Sequence, residues 1–161
     1  MKDLKIAIGG DHGGFELKNQ LLAWLREKGC EVLDCGTHSK DAVDYPRIAY
    51  TVARLVASGR CDRGIMIDGA GIGSAMTANK VHGVRAAVVH DEATAELSRR
   101  HNDANVACFG ARFTPPERIA VLADLWLATA FEGGRHVRRV EKMMAIERDE
   151  GAPPPGSCCG S

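Results

Sequence analysis

The chain has 161 residues, of which 45% are hydrophobic and 26% charged, with 21 basic residues balancing 21 acidic ones. This length suits one domain with a sizeable core, and the zero net charge predicts no global attraction to nucleic acid or to an acidic membrane. No apolar run is long enough for a signal-peptide core or a membrane span, so we expect a cytoplasmic protein.

Short apolar runs alternate along the chain with longer segments of helical character. The runs are nearly continuous in hydrophobicity, as expected for strands that are buried on both faces. In chain order, strands are predicted at Leu4–Gly9, Glu31–Cys35, Arg63–Asp68, Val84–His90 and Asn105–Gly110. Helices are predicted at Phe15–Lys28 and Tyr45–Ser58, from about Ser74, at Asp91–Arg100 and Pro115–Ala128, and after Gly133-Gly134. This alternation predicts an α/β sandwich around a parallel sheet.

The composition changes abruptly near the C-terminus. Residues 151–161 read GAPPPGSCCGS and contain no large apolar side chain. We therefore predict one domain over residues 1–150 and a disordered tail over residues 151–161. Cys158 and Cys159 in this tail leave three interpretations open: an unselected flexible end, a tether to a partner or shell, or adventitious binding of a metal. The other four cysteines are predicted to be reduced core residues.

Ligands of parallel α/β sheets bind beyond the carboxyl ends of the strands. The predicted strands are followed there by glycine and polar residues: Gly-Gly-Asp11-His12, Gly36-Thr37-His38, Asp68 to Gly73, His90-Asp91 and Gly110-Ala-Arg112. The chemistry of the protein is therefore predicted to lie at this edge of the sheet.

The glycine-rich loop from Asp68 to Gly73 joins a predicted strand to a predicted helix. Glycine at alternate positions permits a tight turn with exposed backbone N–H groups, which suits a phosphate or a developing oxyanion. A turn that merely needs glycine is the other interpretation. The first strand lacks G-x-G-x-x-G and the chain lacks GxxxxGK[ST], so neither a dinucleotide nor a nucleoside triphosphate is expected.

Three polar clusters each have a functional and a structural interpretation. Asp11-His12 suits proton transfer during the opening of a sugar ring, but such pairs also occur in ordinary turns. The segment around His101 and Asn102 is rich in hydrogen-bonding groups, although such residues also cap helices. Arg135 and Arg139 share a helix face and suit phosphate capture, or are simply solvated. No histidine spacing indicates a metal site.

Together these segments resemble the ribose-5-phosphate isomerase B and galactose-6-phosphate isomerase family. The resemblance runs from about residue 4 to about residue 148. It rests on Gly10 to Phe15, Asp44-Tyr45-Pro46, Gly69 to Gly73, Ala78-Asn79-Lys80, Ser98 to Asp103, Phe109 to Arg112 and Glu132 to His136. It implies a three-layer Rossmann-like sandwich with a five-stranded parallel sheet. It also implies no cofactor, and a homodimer or dimer of dimers with shared active sites.

The resemblance further implies a role for each matching residue. Asp11 and His101 would assist ring opening, with His101 reaching in from the partner subunit. The phosphate would be held by His12, Arg135 and Arg139, with Arg112 as a further candidate. Tyr45 and Asn102 would contact sugar hydroxyls. The backbone of the loop that contains Gly69, Gly71 and Gly73 would stabilise an enediolate.

The chain departs from the family pattern at the centre of the reaction. The usual catalytic cysteine is replaced by Asp68, the usual hydroxyl residue by Ala70, and the glutamate of another branch by Ser74. An aspartate at this position is similar to the galactose-6-phosphate isomerase subunits. We therefore predict Asp68 to be the base, with Ala70 and Ser74 beside the substrate.

The resemblance thus implies an aldose–ketose isomerase of a phosphorylated sugar, either ribose 5-phosphate or a related tetrose to hexose phosphate. Two alternatives stay open. The first is an isomerase that uses another residue or needs a paralogous partner subunit. The second is a sugar-phosphate binding protein of the same fold that has lost catalysis.

Overall fold

Parallel strands form the middle layer of the structure. A computed structural model describes residues 3–148. Its strands are β1 (Lys5–Gly10), β2 (Glu31–Asp34), β3 (Arg63–Asp68), β4 (Ala86–Val88) and β5 (Val106–Gly110). They pair in the order β2-β1-β3-β5-β4, and every pair is parallel. The predicted five-stranded parallel sheet is confirmed.

Helices cover both faces of this sheet. They are α1 (Phe15–Glu27), α2 (Tyr45–Ala57), α3 (Ile72–Ala78), α4 (Glu92–Arg100), α5 (Pro116–Ala128) and α6 (Arg135–Glu147). Apolar residues of α1, α4 and α5 pack in one core, and those of α2 and α3 pack in the other. The three-layer sandwich is therefore confirmed. No helix within residues 3–148 has the length and apolar character needed to cross a membrane.

The central strand β3 shows why the predicted strands are hydrophobic at almost every position. Ile65 and Ile67 enter the core beneath α1 and α5, whereas Met66 enters the core beneath α2. Successive side chains of a strand point to opposite faces, so a strand between two helical layers needs apolar residues in succession.

The observed β4 is shorter than the predicted strand Val84–His90. The backbone N–H of Val84 donates to the carbonyl of Val81 at 3.1 Å, which places Val84 in a turn. The N–H of Arg85 donates to Oδ1 of Asn105 at 2.8 Å. Both residues therefore precede the regular strand, which runs over Ala86–Val88. The helix α3 also begins earlier than predicted, at Ile72.

A buried ion pair fixes the chain beside the end of β1. Lys18 of α1 is 0% exposed, and its Nζ donates to both carboxylate oxygens of Asp34 at 2.7 Å. Asp34 also accepts a hydrogen bond from the N–H of Gly36 at 2.9 Å. The carbonyl of Gly36 in turn accepts from the N–H of Gly10 at 2.8 Å. Lys18 thus holds the β2 end against the residue that precedes Asp11.

The predicted domain over residues 1–150 extends slightly beyond the described residues at both ends. The predicted tail, residues 151–161, lies wholly outside them, and so do Cys158 and Cys159. Both the domain limits and the tail therefore stay predictions.

Candidate active site

A cleft of about 320 Å³ opens at the carboxyl ends of the central strands. It lies where the parallel-sheet rule predicts a ligand. The predicted site residues that line it are Asp11, Tyr45, Asp68, Gly69, Ala70, Gly73 and Arg112, and Phe113 completes the wall. Because β1 and β3 are neighbours in the sheet, Asp11 and Asp68 come from adjacent strand ends.

The carboxylate of Asp68 is turned towards its own loop. Asp68 is 4% exposed. Its Oδ1 accepts hydrogen bonds from the N–H of Ala70, at 2.8 Å, and from that of Gly71. Its Oδ2 accepts from the N–H of Ser74, at 3.2 Å, and from the Ser74 hydroxyl. An ionised carboxylate has about four lone-pair sites, so the loop's donors engage all of them.

The glycines of this loop are needed for two different reasons. Gly71 has a φ of +77°, a left-handed conformation that costs glycine little. At Gly73, an added Cβ would lie 2.5 Å from the ring of Tyr45, so the aromatic side chain packs directly against the loop backbone. The backbone conformation of Gly71 and the close contact at Gly73 together determine the path of the loop beside the cleft.

Some of the loop's backbone N–H groups donate to Asp68 and others do not. Those of Ala70 and Gly71 donate to Asp68. Within residues 3–148, the N–H groups of Gly69, Ile72 and Gly73 have no hydrogen-bond partner. Only part of the predicted oxyanion loop is therefore available to a ligand. Ser74 is fully buried beneath the loop, so it affects the cleft through Asp68.

Asp11 has a different environment from that of Asp68. It is 9% exposed, and its Oδ1 accepts one hydrogen bond, from the N–H of Gly14 at 3.0 Å. No described residue donates to its Oδ2, and this oxygen is not among the buried polar atoms that lack a partner. The turn is packed tightly, because a Cβ on Gly14 would lie 2.0 Å from the carbonyl oxygen of Ile67. Asp11 therefore presents carboxylate lone pairs to the cleft from a fixed backbone.

Other predicted site residues belong to a second group, built by the ends of α4 and α6. The rings of His101 and His136 stack with their centroids 4.1 Å apart. Nε of Arg135 donates to Nε2 of His136 at 3.4 Å. Burial lowers the pKa of His136, and the nearby His101 and Arg135 lower it further. Arg139 is exposed on the same helix. The group is predominantly basic.

Glu132 is the acidic member of this second group. It accepts two hydrogen bonds from the guanidinium of Arg100, at 2.7 and 3.1 Å, and this pairing lowers its pKa. Glu132, His101 and His136 have ligand atoms within 4.8 Å of one another. The two imidazole planes differ by only 7°, so their in-plane lone pairs do not converge on one point. We therefore assign no metal there, and the surrounding arginines favour an anion.

The remaining predicted residues lie apart from the cleft wall. His12 is exposed, and its Nδ1 accepts a hydrogen bond from the N–H of Val43 at 3.4 Å. Asn102 is also exposed, and its carbonyl accepts from Arg85 at 3.2 Å. Neither residue lines the cleft, and the structure shows no hydrogen bond between the cleft residues and the second group within residues 3–148.

The thiols near the sheet do not offer a substitute for the missing cysteine. Burial raises the pKa of Cys35 to about 11 and also raises that of Cys108. The thiolate is the reactive form of cysteine, so both thiols are protonated and unreactive near neutral pH. Among the residues that line the cleft, the groups able to accept a proton from carbon are therefore the carboxylates of Asp11 and Asp68.

The parallel sheet with a glycine-loop cleft at its strand ends defines a Rossmann-like α/β protein. A sequence profile described as Ribose/Galactose Isomerase matches residues 6–143. The chain therefore belongs to the ribose/galactose isomerase family, and the isomerase class predicted from the sequence is confirmed.

Individual relatives agree with this assignment. Ribose-5-phosphate isomerase B of Escherichia coli is 49% identical over 144 residues, which are 89% of this chain and 97% of that protein. Ribose-5-P isomerase B of Listeria innocua is 46% identical, over 90% of this chain and 98% of that protein. These alignments span nearly the whole of each relative, so the family assignment applies to the complete fold.

Solved structures also superpose closely on this chain. Ribose-5-phosphate isomerase B of Clostridium thermocellum has a TM-score of 0.89 at 46% identity, covering 91% of this chain and 99% of that one. The Mycoplasma genitalium enzyme, whose structure contains bound ribulose-5-phosphate, has a TM-score of 0.89 at 41% identity, covering 92% and 99%. The Rossmann-like fold is thus shared with enzymes of known structure.

The contact between Ser74 and Asp68 generates a stability prediction. Ser74→Ala removes the hydroxyl donor, and a hydrogen bond to a charged group contributes about 1.5–3 kcal/mol. We expect the free energy of unfolding in urea to fall by about that amount. Ser58→Ala is the matched control, because the exposed Ser58 hydroxyl bonds only to the carbonyl of Leu55. Equal stability of the two variants would contradict a stabilising role for this contact.

Proposed function

We propose that this protein interconverts an aldose and a ketose phosphate through ring opening and an enediolate intermediate, without a cofactor. The observation that carries the proposal is the cleft itself, in which the carboxylates of Asp11 and Asp68 lie beside unpaired N–H groups of the glycine loop. A carboxylate can move a proton between neighbouring carbons, and N–H groups stabilise the oxyanion that forms.

Ribose 5-phosphate and ribulose 5-phosphate are the proposed substrate pair to test first. The Mycoplasma genitalium relative is described with bound ribulose-5-phosphate, and the Escherichia coli relative is named for ribose 5-phosphate. A cleft of about 320 Å³ is at the lower end of the range for small-molecule pockets, which suits a small sugar phosphate. Tetrose and hexose phosphates remain within the proposed class, and the cytoplasmic location stays a prediction.

We further propose that each active site is shared between two copies of the chain. His101 and Arg135 lie in the second group, away from the cleft that holds Asp11. The helix α6 also exposes Val137, Met143 and Ile146, although it contributes only His136 to the buried residues. A two-fold dimer that covers α6 would bring the basic group of one copy to the cleft of the other. The substrate phosphate would then meet Arg135 and Arg139.

One observation keeps a second function open. The lone pairs of Asp68 are engaged by its loop, so the residue at the family's cysteine position is poorly arranged to take a proton. A protein without a base would bind sugar phosphates and not isomerise them. Asp11 supplies the alternative carboxylate that favours the enzyme over the binding protein.

Hydrogen exchange with solvent tests the proposed function. The purified protein in deuterated water is expected to introduce deuterium at the carbon next to the carbonyl of ribose 5-phosphate or ribulose 5-phosphate, because an enediolate has released its carbon-bound proton. Mass spectrometry and NMR measure the incorporation. Binding of the phosphorylated sugars without any exchange, across tetrose, pentose and hexose phosphates, would establish the binding-protein function instead.

Mixing two inactive variants tests whether the active sites are shared. Asp11→Asn and His101→Asn are each expected to isomerise ribose 5-phosphate poorly. If Asp11 and His101 of one site come from different copies, a mixed dimer has one intact and one doubly altered site. Unfolding and refolding an equal mixture should then restore about a quarter of the wild-type activity, because half of the two-fold dimers are mixed. No recovery would indicate that both residues serve the same chain's site.

A further inference from the structure

We propose that Asp11 is the base that moves the proton between carbons 1 and 2 of the sugar, and that Asp68 is a positioning residue for the glycine loop. This assignment rests on the isomerase function proposed above and deepens it. It departs from the sequence-based prediction, in which Asp68 is the base and Asp11 assists only in ring opening.

The position of Asp68 argues for a structural task. Four donors of its own loop engage its two oxygens, and they come from Ala70, Gly71 and Ser74. A carboxylate accepts about four hydrogen bonds, so a carbon-bound proton would have to displace one of these donors. That exchange would leave a buried N–H or hydroxyl unsatisfied, which costs about 1–3 kcal/mol. Asp68 is thus arranged to hold the loop.

The position of Asp11 argues for the chemical task. Its Oδ1 accepts one hydrogen bond from Gly14, and its Oδ2 accepts none from any described residue. The side chain lines the cleft while being largely buried. Its backbone N–H donates to the carbonyl of Ile67 at 3.1 Å, which fixes the Asp11 backbone relative to β3, and the Gly14 N–H restrains the carboxylate. A fixed carboxylate with unengaged lone pairs meets the geometric requirement for a general base.

The proposed step conserves atoms and electrons. Asp11 takes a proton from carbon 1 of the ketose, and the electron pair of that bond forms the double bond between carbons 1 and 2. The former carbonyl pair moves to the oxygen of carbon 2, where it is stabilised as an enediolate. The protonated Asp11 then returns the proton to carbon 2, while the hydroxyl proton of carbon 1 passes to the oxygen of carbon 2. The product is the aldose, and Asp11 is again a carboxylate.

An acyclic substrate distinguishes the proton transfer between carbons 1 and 2 from ring opening. Ribulose 5-phosphate cannot close a five-membered ring, because the oxygen on carbon 5 carries the phosphate. Deuterium exchange at its carbon 1 therefore needs a base but no ring-opening residue. We propose to measure this exchange by mass spectrometry for the wild type, Asp11→Asn and Asp68→Asn. Asp124→Asn of α5 is the matched control, because it removes one negative charge outside the cleft.

Removal of a general base typically lowers a rate by about 100-fold or more. We expect the rate of deuterium exchange at carbon 1 of ribulose 5-phosphate to fall by at least this factor in Asp11→Asn. The rate in Asp124→Asn is expected to equal that of the wild type. Exchange at the wild-type rate in Asp11→Asn, together with slow conversion of ribose 5-phosphate, would show that Asp11 only opens rings and would overturn the proposal. Circular dichroism and thermal unfolding compare the folding of Asp11→Asn with that of the control.

The Asp68→Asn variant tests independently whether Asp68 is the base or a positioning residue. Because a positioning residue acts through the loop, we expect the KM of Asp68→Asn to be higher than that of the wild type, and its kcat to be lower by less than about tenfold. A folded Asp68→Asn protein that binds ribulose 5-phosphate but exchanges no deuterium would identify Asp68 as the base and overturn the proposal. This holds even if Asp11→Asn does not fold.

The wild type distinguishes failure of this assignment from failure of the proposed function. If the wild-type protein exchanges deuterium and Asp11→Asn does so equally well, only the assignment of the base is wrong. If the wild type exchanges no proton of any sugar phosphate tested, the isomerase function fails and the assignment fails with it.

Discussion

The hydrogen bonds of Asp68 to its own loop are the constraint on which the cleft depends. They hold Ala70 and Gly71 in place, and Gly71 has a left-handed backbone conformation. Through Ser74 they also connect the start of α3 to the end of β3. The same bonds decide which N–H groups are left for a ligand. Without them, four loop donors would compete for the substrate oxyanion or remain unsatisfied. A single side chain thus sets both the shape and the polarity of the floor of the cleft.

An aspartate at this position changes which residue of the site acts as the base. In the family pattern that the sequence resembles, a cysteine stands there as the base, and a thiol is only a weak hydrogen-bond partner. A carboxylate has much greater accepting capacity, and the loop of this chain uses all of it. The chemistry then depends on the neighbouring strand end, where Asp11 keeps one oxygen unengaged. Replacement of the usual base is therefore compatible with catalysis, because the two carboxylates lie at the carboxyl ends of adjacent strands of one sheet.

Much of the fold followed from the sequence because its signals are local and repeated. Continuous apolar runs indicated buried parallel strands, and the rule for strand ends brought Asp11 and Asp68 into one cleft. The start of β4 could not be predicted in this way, since the Val84 N–H closes a turn onto the carbonyl of Val81. The stacking of His101 on His136 also depends on how α6 meets α4, which no local pattern specifies. The direction of the Asp68 carboxylate has no sequence signal except the nearby Ser74, which the family resemblance places beside the substrate.

The central claim is that Asp68 holds the loop while Asp11 faces the reacting carbons. A crystal structure of the protein with bound ribulose 5-phosphate tests it most directly. The account predicts that Oδ2 of Asp11 lies within about 3–3.5 Å of carbon 1 or carbon 2, and that Asp68 keeps its contacts to Ala70, Gly71 and Ser74. A structure in which the Asp68 carboxylate has left these donors and lies against the two carbons, with Asp11 directed at the ring oxygen position, would contradict the account.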